Sequence, residues 1–142
     1  MIRIEEGAWR VMLDHAVRAY PRECCGILVG SESASGERVV TTALAVKNAY
    51  AGDQSDRFTI DPLDALRADR QARAVGLDVI GFFHSHPDHG MYFSATDLKN
   101  SAPAYSNVVL SVRRGVFESA GAFRANEDQT RAEPEPLILS AA

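Results

Sequence analysis

The sequence predicts a single-domain α/β protein, a mixed β-sheet flanked by helices. Three observations carry this. At 142 residues the chain is long enough to bury one core and short for two. Helical and strand periodicities alternate along it, which brings helices onto the faces of a sheet. Residues 107–125 are apolar on both sides of Arg114-Gly115, the pattern of a hairpin.

Each element follows from its own residues. Between positions 5 and 19, Ala8, Trp9, Met12, Leu13, Ala16 and Val17 recur at helical spacing. Pro21 stops that helix, because the residue before a proline is driven out of the helical region. CCGILVG (24–30) reads as a buried strand closed by Gly30, and SESASG (31–36) as a turn. ERVVTTALAVKN (37–48) is then its antiparallel partner. AYAGDQSD (49–56) is a polar loop, expected to be mobile, and RFTI (57–60) reads as a brief strand. Asp61 and Pro62 open a second helix as N-cap and first helical residue. Gly76 stops it after Val75.

LDVIGFF (77–83) is a further buried strand, and residues 94–102 read as a short helix. The hairpin follows at 107–125. The polar end leaves two readings for Leu137–Leu139, an edge strand or a loose tail. Residues 1–127 form the expected domain, with 128–142 as its C-terminal tail.

Charge narrows the partners. The net charge is −4, and the only basic pair, Arg113-Arg114, falls at the hairpin turn. That argues against nucleic acid and against an anionic membrane, and favours a neutral or basic peptide. No apolar run approaches the length of a membrane span. The opening MIRIEEGAWR lacks the apolar centre of a signal peptide. The two cysteines, Cys24 and Cys25, are adjacent. Their Cα atoms are held about 3.8 Å apart, short of the usual disulfide range. Free thiols in a reducing cytoplasm are expected.

The chemistry concentrates in HSHPDHGMYFSATD (84–97), which holds three of the four histidines. His84 and His86 are two residues apart at the end of an apolar strand, so both side chains face one way. Two imidazoles so placed share one ion at about 2.0–2.1 Å each. Pro87 turns the chain, and Asp97 sits in the first turn of the following helix. Two histidines and one carboxylate leave a fourth tetrahedral position for water, the mark of a catalytic zinc site. Blander readings apply to each residue alone. Ser94 and Asp97 have capping-box spacing, an H-x-H pair is often incidental, and Glu23 reads equally as a solvated acid at a strand mouth. In combination Glu23 is the best candidate proton acceptor. A helix N-terminus also favours Asp97 as a carboxylate, so cap and ligand coexist.

Together, H-x-H-P followed after six residues by S-x-x-D, and ECCGILVG upstream, resemble the JAMM or MPN-plus metalloproteases. The resemblance spans roughly residues 1–125. It implies a cytidine-deaminase-like sandwich in which His84, His86 and Asp97 bind one Zn²⁺ with a water. Glu23 would hold that water, take its proton and return it to the leaving amine. Ser94 would donate a hydrogen bond to the oxyanion. The implied reaction is peptide or isopeptide cleavage after the C-terminal glycine of a ubiquitin-like or sulfur-carrier protein with a Gly-Gly tail. The loop 49–57 matches the place where family members clamp such a tail, and a homodimer is compatible. Phe93 stands where many members have proline, which removes no ligand. His89 has no counterpart among the family's ligands and reads as a loop residue. A deaminase needs H-x-E and P-C-x-x-C, and this chain has neither. The alternative is a non-catalytic or partner-activated zinc-binding MPN-type module.

Overall fold

The computed structural model describes residues 1–140. Among these residues eight strands form one sheet, with three helices: β1 (Ile2–Ile4), α1 (Glu6–Ala19), β2 (Cys25–Glu32), β3 (Arg38–Val46), α2 (Pro62–Ala74), β4 (Asp78–Pro87), α3 (Ala95–Lys99), β5 (Ser106–Arg113), β6 (Val116–Ala125), β7 (Ala132–Glu135) and β8 (Leu137–Leu139). The strand order is β7-β6-β5-β4-β2-β3-β1-β8. It is a mixed sheet: β4 runs parallel to β5, and β2 antiparallel to β4. The expected architecture is the one found.

Helices cover the two faces. α1 buries Ala8, Met12 and Ala16, spaced four residues apart on one stripe. They join Ile2, Ile4, Leu28, Phe83 and Leu110 in the larger core, and Trp9 meets Phe117 edge-on. Each fully buried large aliphatic side chain in such a core contributes about 1.5–3 kcal/mol. α2 buries only Ala68 and Ala72, against Ile27, Val29 and partly buried Phe82. Asp61 caps it, its Oδ1 accepting from Leu63 N–H at 2.9 Å. Arg114 and Gly115 both have positive φ, 52° and 79°. The β5–β6 turn therefore matches the right-handed twist of its strands.

The structure departs from expectation in four places. RFTI (57–60) is not a strand. Its polar backbone bonds instead within the loop, with Thr59 carbonyl accepting from Ala49 N–H at 2.8 Å. The third helix is shorter than 94–102, ending at Lys99 before Asn100 as C-cap. β1 and β7 were not expected. Each is too short to show a period, and each exists through partners distant in sequence. β8 is the edge strand, paired in parallel with β1. The segment 132–139 thus supplies both outer strands of the sheet, with Pro136 between them.

Candidate metal centre and active site

β4 stays extended through Pro87, so His84 and His86 share one face at its end. Ser85 between them points the other way. It is fully buried, and its Oγ accepts from the N–H of Cys24 at 2.8 Å. Its own N–H donates to the Cys24 carbonyl at 3.2 Å. The middle residue of the H-x-H pair therefore fastens β4 to the residue after Glu23. Two residues further along β2, Gly26 lies under the Phe83 ring. A Cβ there would come within 2.0 Å of the ring and 2.6 Å of the Leu44 carbonyl.

Asp97 arrives from α3. Ser94 Oγ accepts from Asp97 N–H, and Ser94 N–H donates to Asp97 Oδ2, both at 3.0 Å. The capping box is thus present. It aims the aspartate, because the oxygen it fixes is the one facing both histidines. Asp97 Oδ2 lies 3.2 Å from His84 Nε2 and 3.1 Å from His86 Nε2. The two Nε2 atoms are 3.2 Å apart. A tetrahedral ion with ligands at about 2.0–2.1 Å requires edges of about 3.3–3.4 Å. The triangle fits one such ion, and these three residues form a cluster that could hold a metal.

The surroundings suit ligation. His86 Nδ1 donates to the Gly90 carbonyl at 3.0 Å, which leaves the Nε2 lone pair facing the site. Phe58 stacks on the His84 ring at 4.5 Å, and Tyr92 lies 5.0 Å from the His86 ring. Burial lowers the His84 pKa, opposed by its bond to Asp97, and so favours the neutral ring that a metal needs. Burial also opposes ionisation of Asp97. With a proton rather than a metal at Nε2, His84 and His86 bond to its Oδ2, outweigh burial and hold the carboxyl well below the usual range.

Glu23 is 6% exposed, just before β2. Burial pushes its carboxyl up to about 8, and the charges of Asp97 and Asp56 add to this while Arg57 opposes. Glu23 and Asp97 therefore share one electrostatic environment. Ser94 is half-buried, and its O–H is left to donate once its oxygen has accepted from Asp97. His89 takes no part in the triangle; its carbonyl accepts from Ser111 Oγ. A cleft of about 440 Å³ opens beside the centre, lined by Phe58, Ile60, Phe82, His84, Phe93 and Asp97 among others.

Residues 5–136 match the family described as Prok-JAB, prokaryotic homologs of the JAB domain. The chain belongs to that family. A desampylase of Haloferax volcanii is 34% identical to this JAB-domain protein over 92 residues, 64% of this chain and 63% of that protein. The match thus spans somewhat less than two thirds of the relative's length. The solution structure of a Desulfitobacterium hafniense protein aligns with a TM-score of 0.86 at 28% identity, covering 100% of this chain and 94% of that one. A Salinibacter ruber protein aligns with 0.74 at 30% identity, covering 99% and 92%. A JAB1/MPN domain protein of Archaeoglobus fulgidus shares the fold, with 0.59 at 18% identity over 96% and 97%.

Sequence reasoning missed several residues of this JAB-domain site. Phe58 sits in RFTI, which reads as a strand, and its stacking on His84, 26 positions away, has no local signal. Ser85 carries no signal of its own between the two histidines. Asn48 closed a strand in that reading; in the structure it organises the loop beside Glu23. The carbonyl of Gly90 had no signal, since backbone groups look alike in sequence.

Proposed function

We propose that this JAB-domain protein is a zinc-dependent hydrolase that cleaves after the C-terminal glycine of a ubiquitin-like or sulfur-carrier protein. The observation that carries the reading is the triangle of His84, His86 and Asp97, with edges of 3.1–3.2 Å; Glu23 is buried, two residues before the Cys25 that pairs with His84, and feels the charge of Asp97. The three ligands would hold Zn²⁺, which when bound supplies Lewis acidity and lowers the pKa of water toward about 7. The side chains do the rest. Glu23 takes a proton from the attacking water and delivers it to the leaving amine, the two-way role of a general acid–base. Ser94 O–H donates to the oxyanion that develops on the carbonyl. Phe58 and Phe93 wall the cleft on which an extended Gly-Gly tail would lie, small enough to approach the ligands.

Kinship to a protein named desampylase supports a protein conjugate or precursor as substrate. We place the reaction in the cytoplasm, with no nucleic-acid or membrane partner and with a homodimer compatible. The test is mass spectrometry of Gly-Gly-tailed carriers, as precursors and as lysine conjugates, before and after incubation with zinc-loaded protein. Mass loss at the glycine, absent with Glu23→Gln, is the expected result. Stoichiometric zinc without cleavage of any carrier would leave the non-catalytic module.

A further inference from the structure

Asn48 lies just past β3, half-buried. A side-chain amide has two N–H donors and two acceptor positions on its oxygen, and all four are used. Nδ2 donates to the carbonyls of Glu23 at 3.1 Å and Arg57 at 2.9 Å. Oδ1 accepts from the N–H groups of Tyr50 and Thr59, each at 3.1 Å. One amide therefore gathers both arms of the loop 49–59 and the backbone of Glu23. The loop holds Glu23 a second time, through its N–H, which donates to the Gln54 carbonyl at 2.7 Å. Gln54 Nε2 in turn donates to the carbonyls of Asn48 and Tyr50, both at 2.9 Å.

Both backbone polar groups of Glu23 are thus committed to the loop, whereas neighbouring Cys24 is committed to β4 through Ser85. Glu23 stands at the joint between a strand and a loop. The same loop carries Phe58 against His84, and its outer positions from Tyr50 to Asp53 are exposed.

Resting on the reading of Glu23 as the proton carrier, we infer that Asn48 is a positioning residue that couples the loop 49–59 to Glu23. A bound peptide segment that orders or displaces this loop then sets where the carboxylate sits. Only an amide serves. Aspartate has the same shape but no donors, and it would set a charged oxygen against two carbonyls.

The experiment pairs kinetics with amide hydrogen exchange. In zinc-loaded protein acting on a Gly-Gly-tailed carrier, Asn48→Asp is expected to lower kcat about 10²-fold, the effect of a misplacement of about 1 Å. KM should stay within about threefold, as for a group acting only on the chemical step, and zinc content should be unchanged. In wild-type protein the amides of Glu23, Tyr50 and Thr59 should exchange at a common opening free energy, and the variant should speed all three. Unchanged kcat with only a lower Tm overturns the inference. So does zinc lost in parallel with kcat, or a Glu23 amide that stays protected while Tyr50 and Thr59 exchange freely. Should Asn48→Asp not fold, Asn48→Ala takes its place, and the wild-type exchange arm stands without either. Absence of cleavage by wild-type protein would instead refute the hydrolase reading, with the exchange arm still deciding the coupling.

Discussion

The two sides of the candidate centre are built differently. On the metal side, His84 and His86 are carried by a central strand paired on both edges, and Asp97 by a capping box that fixes the oxygen facing them. On the other side, the peptide groups of Glu23 are held by a loop without regular structure, gathered by the amide of Asn48. Ligand geometry is written into sheet and helix, where many cooperative bonds resist displacement. Placement of Glu23, the proposed proton carrier, is written into a few bonds of its backbone. Under the proposed reading, a rigid ligand set with an adjustable base suits an enzyme whose metal must stay while its substrate comes and goes.

The largest expected effect breaks the rigid side. His84→Ala or Asp97→Asn removes one of three ligands, and metal analysis should find the zinc lost and turnover abolished. The adjustable side breaks differently. Glu23→Gln should retain about one zinc per chain while kcat falls by about 10²–10⁴-fold, the range for a lost general acid–base. Retained turnover would remove Glu23 from the chemistry. Ser94 is the observed cap and the proposed donor. Ser94→Ala should lower kcat by about 10²–10³-fold if it contacts the oxyanion, and lower stability by about 0.5–2 kcal/mol through the lost cap. Loss of Tm with intact kcat would assign it to the cap alone.

The effect that acts on stability alone is electrostatic and sharpens the contrast in metal-free protein. The folded-state pKa of Glu23, about 8, lies above its ordinary 4.5, so the folded state binds the extra proton. Its contribution to stability is complete below about 4.5 and is lost as pH rises through about 8. Asp97 has the opposite sign: its folded pKa is depressed, so its contribution is present above the ordinary aspartate range and lost on acidification. Chemical denaturation between pH 5 and pH 9 should therefore show a decline that Glu23→Gln flattens. Bound zinc should flatten it too, since a nearby cation favours the carboxylate.

Much of the rigid side was legible in the sequence. The strand, the H-x-H pair, the proline and the Ser/Asp cap are local patterns, and each side chain lands where its spacing directs. The fold class followed for the same reason, from periodicity within elements. What stayed illegible depends on contacts between distant positions. β1 carries Ile2 and Ile4 in alternation, but three residues are too few to count as a period. The loop 49–59 has no period either, and RFTI looked like a strand because nothing in its composition says where its N–H groups go. Asn48 is one polar residue among several at a strand end, and its four partners lie between two and twenty-five positions away.

The ribbon from Ala132 to Leu139 lies against β6 at one rim and β1 at the other. A sheet usually frays independently at its two borders. Here a single short segment fastens both, like a buckle, so a nick just before Ala132 should loosen Ile2–Ile4 and Phe123–Ala125 in the same event. That ribbon cannot be trimmed past Leu137 without disturbing the first strand of the chain.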